Sequence, residues 1–255
     1  MPLNEAKATK TIAILGEDKH ELDRIKKSIS MHCRLKKDSH IFARGIYAGY
    51  AILLLEIGHQ EEDIDYKISH LIMHYQIDFA IFIGFVGALK EDIAAGDVVI
   101  PLEFRSLAFS EERYYASPGL VSLAKRLTGK SGLTARVTKI NLTVDRVYFK
   151  DDKIKLTRAK PEIFSLDMVS FFVAKAFYNH QIDFIVIKGV SDGINFYLRD
   201  FDFLFKAKYQ ISLVRLLLYC VRYPREIIRL CQFIQGGRKA TKNNIAFLKD
   251  FLKAV

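Results

Sequence analysis

Two runs of uninterrupted hydrophobic residues constrain the fold of this chain more than any other feature of its sequence. Residues 78–84 (DFAIFIG) and 183–189 (DFIVIKG) are almost wholly apolar and each ends in glycine. A strand with one face in water alternates apolar and polar residues, whereas a strand covered on both faces does not. Residues 10–16 (KTIAILG) have the same form. These runs predict central strands of a sheet with helices on both sides.

Segments with helical spacing of apolar residues lie between and after these runs. We expect helices at residues 17–29, 62–75, 117–127, 166–178 and 210–221. The alternation predicts an α/β fold with three layers, in which a mixed central sheet is flanked by helices.

Ligands of such sheets bind where the strands end at their carboxyl side. That rule directs attention to residues 16–21, 84–89 and 189–192, each of which follows an apolar run directly.

The C-terminal part of the chain is strongly basic. Residues 217–255 contain eight Lys or Arg and two acidic residues, so they carry +6 of the net charge of +10. Pro224 is expected to open a helix, Gly236 and Gly237 to break it, and a last helix to follow. We therefore divide the chain into a flexible N-terminus (1–10), an α/β domain (11–221) and a tail of basic helices (222–255).

The cysteines and the N-terminus favour a cytoplasmic protein. Cys33, Cys220 and Cys231 are scattered and form no CxxC pair, which argues against a disulfide framework and against a zinc site. The polar N-terminus has no apolar segment of the kind found in secretory signals, and no run approaches the ~18 apolar residues of a spanning helix. No metal site is predicted.

Five ordered segments resemble the nucleoside phosphorylase and nucleosidase superfamily, including its methylthioadenosine/adenosylhomocysteine nucleosidases and its hopanoid-associated phosphorylases. The likeness extends over residues 11–193 and more weakly into the tail. The segments are IAILG (12–16) with Glu21, IGFVGAL (83–89), GDVV (96–99), VDRV (144–147), and LDM (166–168) followed by KGVSD (188–192).

The resemblance implies cleavage of the N-glycosidic bond of a purine nucleoside or nucleoside conjugate. A purine leaves readily only when its N7 accepts a proton or hydrogen bond, and a buried carboxylic acid can provide it. Asp192 matches the catalytic aspartate of the family's Ser-Asp pair. On the residues alone, an aspartate after a strand more often caps the next helix or turn.

The nucleophile requires a second group. Glu21 matches the glutamate that activates water in the nucleosidases, although a glutamate in a first helical turn is also favoured by the helix dipole. A phosphorylase would instead bind phosphate as its co-substrate through arginines. Arg146, which lies in a motif, and Arg44 are candidates, with Arg113 a further one; no other cofactor is expected.

The resemblance also implies a binding surface for the sugar and the base. Its residues are expected to be Gly84, Phe85, Val86, Gly87, Val147, Tyr148, Met168, Val169 and Ser191. An aromatic or apolar wall is expected from 147–149, although alternating apolar residues there would also simply complete a strand.

The chain departs from the family at the ribose. The family's Met-Glu signature reads Met168-Val169 here, and valine cannot accept the hydrogen bonds of the ribose hydroxyls, a loss of about 1.5–3 kcal/mol. Phe85 and Val86 replace the small or hydroxylated residues usual in the glycine-rich stretch. A non-catalytic nucleoside-binding or scaffold protein is therefore the alternative to an enzyme.

The expected partners are a small-molecule nucleoside and, because oligomers are usual in the superfamily, further copies of the chain. The basic tail is a candidate for peripheral contact with an anionic membrane, or it is a solvated helix that packs on a partner subunit. It has no motif that reads nucleic acid, so no specific binding of that kind is expected.

Overall fold

The computed structural model of the protein describes residues 10–17, 19–29, 41–129, 132–204 and 212–255. Over these residues the chain forms a single mixed sheet with helices on both faces. The strands are β1 (Thr11–Gly16), β2 (Ile41–Tyr47), β3 (Tyr50–Glu56), β4 (Phe79–Ala88), β5 (Val98–Ser106), β6 (Tyr114–Tyr115), β7 (Ala135–Thr143), β8 (Ile163–Asp167) and β9 (Phe184–Asp192). The helices are α1 (Lys19–Ser28), α2 (Glu61–His74), α3 (Pro118–Leu127), α4 (Lys150–Ala159), α5 (Ser170–Asn179), α6 (Leu213–Arg222) and α7 (Ile227–Ala254), with short 3₁₀ turns at Phe201–Leu204 and Pro224–Glu226.

The strand pairing brings several strand ends to one place. β1 runs parallel to both of its neighbours, β3 and β4. β4 pairs in parallel with β9 along most of its length and antiparallel with β8 at its end. β9 also pairs with β5, and β7 pairs with both β5 and β8. The five strands β4, β9, β5, β7 and β8 therefore form a closed ring of paired strands. The carboxyl ends of β1, β3, β4 and β9 therefore lie at the same edge of the sheet.

The two faces of the sheet are both covered, as the continuous apolar runs predict. In β1, Ala13 and Leu15 belong to one core cluster and Ile12 and Ile14 to the other, and all four side chains are fully buried. Apolar residues of α2 and α5 complete the first cluster, and those of α1, α3 and α7 complete the second. The predicted three-layer α/β fold with a mixed central sheet is confirmed.

The expected helix at 166–178 is wrong at its beginning. Residues up to Asp167 form strand β8, and α5 starts only at Ser170. The carboxylate of Asp167 accepts a hydrogen bond from the backbone N–H of Ser170 at 3.1 Å, which caps the first turn of the helix. The strand β8 and the helix α4 before it were not predicted.

The expected helix break at Gly236 and Gly237 is also wrong, because α7 continues through both glycines for 28 residues. Gly236 packs so closely on β9 that an added Cβ would lie 2.5 Å from the carbonyl oxygen of Ser191. Further along, Phe247 and Phe251 are fully buried in the core. Six of the eight basic residues of the expected tail thus belong to a helix whose other face is part of the hydrophobic core.

Among the residues that the structure describes, no helix combines the length and the hydrophobicity needed to cross a membrane. Cys220 is half-buried, Cys231 is exposed, and both are free thiols. Cys33 and the expected flexible N-terminus, except for Lys10, lie outside the described residues.

Candidate active site

A cavity of about 170 Å³ lies at the edge where the parallel strands end. Phe85, Val86 and Gly87 of β4 line one side of it, and Ser191 and Asp192 at the end of β9 line another. The position agrees with the general location of ligands in α/β sheets.

Asp192 presents its carboxylate to this cavity with 11% of the side chain exposed. The hydroxyl of Ser191 lies 2.5 Å from its Oδ1, and the ammonium of Lys153 donates to its Oδ2. Lys153 comes from α4, is 1% exposed, and donates a second hydrogen bond to the carbonyl of Gly193 at 3.0 Å. Both oxygens of the carboxylate therefore have a partner.

Gly87 allows this ion pair to lie directly against β4. A Cβ added at this position would be 2.9 Å from Lys153 Nζ and 3.2 Å from Asp192 Oδ2. Any other side chain would displace the lysine, the carboxylate or both.

A second buried lysine joins two further carboxylates beside the cavity. Lys188 of β9 is 0% exposed, donates to Glu17 Oε1 at 2.6 Å, and lies 3.5 Å from Asp167 Oδ2. Burial disfavours its charged form, but the carboxylates of Glu17 and Asp167 outweigh that effect and raise the pKa of Lys188. The other oxygen of Glu17 is 3.9 Å from His59 Nδ1, and both residues line the cavity.

Asp167 and Val169 face in different directions. Asp167 lines the cavity and accepts a hydrogen bond from Thr143 Oγ1 at 2.9 Å, in addition to capping α5. Val169 is 0% exposed and belongs to the core under α5. Met168, between them, lines the cavity.

Glu21 lies behind the cavity wall, on the first turn of α1. Its Oε2 accepts a hydrogen bond from the backbone N–H of Glu17 at 3.1 Å, and the residue is 8% exposed. Among the described residues it is Glu17, not Glu21, that lines the cavity.

Of the arginines suggested for phosphate binding, one is paired with a carboxylate and the other two do not line the cavity. Arg146 lines the cavity and donates to both oxygens of Asp152, at 3.0 and 3.1 Å. This pairing raises the pKa of Arg146 and lowers that of Asp152, and the guanidinium lies 4.8 Å from the ring centre of Tyr148. Arg44 is on β2 and Arg113 precedes β6, both away from the cavity lining.

An aromatic wall closes the remaining side of the cavity. Tyr148, Phe201 and Phe233 line it, and the rings of Phe201 and Phe233 meet edge to face with centres 5.5 Å apart. Phe149 supports the wall from behind, 5.5 Å from Phe201. Val147 also lines the cavity.

Most of the residues predicted from the sequence lie around this one cavity. Gly84 does not line it; its carbonyl accepts a hydrogen bond from Asn244 at 3.2 Å. The predicted residues in the lining are Phe85, Val86, Gly87, Arg146, Val147, Tyr148, Met168, Ser191 and Asp192. Those outside it are Gly84, Glu21, Val169 and Arg44.

Sequence reasoning missed several polar groups of the site. The sequence does indicate Glu17, because this residue follows the glycine that ends β1. It also indicates Lys188, because a lysine inside an apolar strand must pair with a carboxylate. It does not indicate Lys153, since this is one of several charged residues on α4. Within the described ranges, no three His, Cys, Asp or Glu side chains are placed to hold a metal ion.

Comparison with known proteins agrees with the family resemblance of the sequence. The sequence profile of the Phosphorylase superfamily matches residues 11–215. The 5'-methylthioadenosine/S-adenosylhomocysteine nucleosidase of Staphylococcus aureus is 22% identical over 198 residues, which are 72% of this chain and 87% of that protein.

Two solved structures have a similar fold. The 5'-methylthioadenosine/S-adenosylhomocysteine nucleosidase of Neisseria meningitidis, in complex with methylthio-immucillin-A, aligns with a TM-score of 0.74 at 16% identity, over 96% of this chain and 100% of that chain. The futalosine hydrolase of Helicobacter pylori aligns with a TM-score of 0.74 at 16% identity, over 96% of this chain and 98% of that chain. With the profile match over most of its length, this chain belongs to the phosphorylase superfamily.

Proposed function

We propose that this protein cleaves the N-glycosidic bond of a purine nucleoside or nucleoside conjugate. The observation that carries the proposal is the carboxylate of Asp192, which faces a cavity at the strand ends and is held by Ser191 and the buried Lys153. Relatives named for cleavage of 5'-methylthioadenosine and futalosine support the same reaction class.

The two carboxylates of the cavity would have different roles in this reaction. When the bond between C1′ and N9 breaks, positive charge develops on the sugar and negative charge on the purine. Asp192 would face the purine as general acid to N7. Glu17, which Lys188 anchors, would face the sugar, where a carboxylate stabilises positive charge and can accept a proton from the nucleophile.

We propose water, rather than phosphate, as the nucleophile. Phosphate binding needs cationic donors that face the ligand. The guanidinium of Arg146 is already paired with Asp152, and the ammonium of Lys153 with Asp192. Phosphate as a co-substrate, and with it glycosyl transfer, is the competing outcome of the assay below.

A nucleoside-binding protein without turnover is the second candidate, and Val169 favours it. In the family the residue after Met168 is a glutamate that grips the ribose, and here a valine is buried in the core at that position. Asp167 lines the cavity next to it, but its carboxylate already accepts bonds from Thr143 and Ser170.

The deciding experiment measures purine release from methylthioadenosine, adenosylhomocysteine, adenosine and inosine, with and without phosphate. We expect release without phosphate, a loss of about 10²–10⁴-fold in kcat for Asp192→Asn, and a larger loss for Glu17→Gln than for Glu21→Gln. Thermal stabilisation by nucleosides with no release of any purine would support the binding protein, and release only with phosphate would support the phosphorylase.

We further propose that α6 touches an anionic membrane surface. Four large apolar residues of this short helix are exposed, with Leu217 at 68% and Val221 at 82%, and Arg215 and Arg222 lie next to them in the sequence. Apolar side chains between arginines are typical of helices that lie in the interface of anionic bilayers. The 3₁₀ turn that precedes α6 carries Phe201 of the cavity wall, so this contact would bring the cavity close to the membrane.

Co-sedimentation with vesicles tests the membrane contact. The full-length protein should bind vesicles that contain phosphatidylserine and not those of phosphatidylcholine alone, and Leu217→Ser with Val221→Ser should abolish binding. Met73→Ser, at a position 73% exposed on α2, is the matched control and should bind normally. If the α6 variant instead changes the molecular mass in solution, the helix is a contact between subunits.

Three expectations from the sequence stay predictions. Light scattering on the purified protein tests whether it is a homo-oligomer, fractionation of cells tests its cytoplasmic location, and a competition assay at graded salt tests the expected lack of specific nucleic-acid binding.

A further inference from the structure

Lys153 is the least expected group in the site. It lies on a helix whose other two lysines, Lys150 and Lys155, are exposed, yet its own side chain is turned inward and is 1% exposed. Removing an ammonium from water is costly unless carboxylates and carbonyls replace the water. Here the Oδ2 of Asp192 and the carbonyl of Gly193 do so.

This arrangement has a consequence for the role of Asp192. A general acid must carry a proton when the purine leaves. The carboxylate of Asp192 instead accepts a hydrogen bond from Lys153 at Oδ2, and the Ser191 hydroxyl lies 2.5 Å from its Oδ1. Within this ion pair, the proton that could be passed to the purine is therefore on the lysine.

We propose that Lys153 is a positioning residue that supplies the proton Asp192 delivers to the purine. The proposal rests on the proposed function. As the electron pair of the C1′–N9 bond moves into the base, a proton passes from Lys153 Nζ to Asp192 Oδ2 and from the aspartate to N7. The lysine is left as a neutral amine, and water adds hydroxide to C1′ while Glu17 accepts the proton released from that water. Transfer of this proton from Glu17 to the amine through solvent restores the ammonium.

The cavity geometry supports transfer through this pair. Lys153 and Asp192 both line the cavity, and Gly87 leaves room for their two charged groups against the strand. The pair therefore adjoins the space in which the purine would bind.

Leaving-group dependence separates this role from a structural one. The assay compares Lys153→Met with wild type on a series of purine nucleosides that differ in the acidity of the departing base. A variant that cannot supply the proton should lose about 10²–10⁴-fold in kcat on the least acidic bases and progressively less on the most acidic ones. Asp192→Asn should show the same steepened dependence, with kcat affected more than KM.

Two variants complete the design. Lys155→Met, on the exposed face of the same helix, should match wild type. Lys153→Arg keeps the charge but holds its proton too tightly to release it, so it should fold normally and still show the steep dependence. If Lys153→Met does not fold, the Lys153→Arg variant still allows the leaving-group dependence to be measured.

The outcomes are distinct. An equal loss on every base, or wild-type turnover in Lys153→Arg, would overturn the role of the lysine while the proposed function stands. Folded wild-type protein that releases no purine from any nucleoside would overturn both.

Discussion

At the scale of single residues, the site is organised by two buried lysines, each of which holds a carboxylate at the cavity. Lys153 holds Asp192 and Lys188 holds Glu17. Removing one partner of such a pair typically costs 3–5 kcal/mol, because a charge is left buried without compensation. The two pairs therefore fix the positions of the carboxylates more firmly than hydrogen bonds from solvent would.

Gly87→Ala should damage activity more than stability. The added methyl group would lie 2.9 Å from Lys153 Nζ, and the flexible end of the lysine can move away with little effect on the core. A shift of about 1 Å in a catalytic pair can reduce turnover by about 10²-fold. We expect such a loss in kcat with a nearly unchanged urea midpoint.

Gly119→Ala is the control for that substitution. Gly119 lies in the first turn of α3, and no atom lies within 4 Å of an added Cβ there. Unchanged purine release in Gly87→Ala would show that the contact between the pair and β4 has no catalytic importance.

The sequence predicts the residues on strand ends better than those on helices. Asp192 and Gly87 follow apolar runs, and the topology of an α/β sheet sends such residues to one edge. Lys153 reaches the same cavity from α4, and nothing in a helix with four Lys or Arg among its ten residues indicates which one points inward. Val169 illustrates another limit, because only the structure shows that it belongs to the core.

At the scale of elements, the contact between α7 and β9 is unusually close. Gly236 faces the carbonyl of Ser191, one residue before Asp192. The C-terminal helix therefore supports the strand end that carries the candidate acid.

Two neighbouring glycines of α7 should respond in opposite ways to alanine. Gly236→Ala would place a methyl group 2.5 Å from a backbone oxygen, and such overpacking costs about 1–3 kcal/mol. Gly237→Ala has no atom within 4 Å and should stabilise the helix by about 1 kcal/mol. Urea unfolding at pH 7 measures both, and two changes of the same sign would contradict the close approach.

Tyr219 should make the anchoring of α6 depend on pH. Its hydroxyl donates to the carbonyl of Arg199 at 2.6 Å, and burial, with the nearby carboxylates of Glu226 and Asp200, raises its pKa to about 12. The folded state thus favours the protonated hydroxyl. Its contribution to stability is complete below the ordinary pKa of about 10 and is lost as the pH rises toward about 12.

Comparison with Tyr219→Phe isolates this contribution. We expect the difference in unfolding free energy between wild type and the variant to be constant up to about pH 9 and to decrease by up to about 2 kcal/mol by pH 12. Tyr66→Phe, at a position 59% exposed, should show no such trend. A constant difference at all pH values would mean that the hydroxyl is accessible to solvent.

Strands were easier to predict than their connections because burial on both faces leaves a direct mark on the sequence. β4 has no polar side chain, and β9 has none before Lys188. β8 is short, and α5 follows it after two residues, so the two together have the pattern of a single apolar helix. Gly236 and Gly237 signal a break on propensity alone, and tertiary packing overrides that signal.

At the scale of the whole molecule, the helix that follows the expected boundary at residue 222 shares a hydrophobic core with the sheet. The second core cluster contains four residues near the end of α7 together with residues of β1, β4 and β9. The two similar solved structures cover 96% of this chain. The basic charge of the last helix is therefore a property of its exposed face only.

A chain that ends at Glu226 should consequently fail to fold. Phe247, Leu248, Phe251 and Leu252 are each 0% exposed, and burying such side chains contributes about 1.5–3 kcal/mol apiece. Their loss approaches the 5–15 kcal/mol that stabilises an ordinary protein. We expect the truncated chain to show no cooperative transition in urea. The full-length double variant Leu217→Ser with Val221→Ser should unfold cooperatively as wild type does, because these two side chains are exposed and do not belong to the core. A truncated chain with a cooperative transition and intact purine release would mean that the boundary at residue 222 is real and that the sheet is closed without α7.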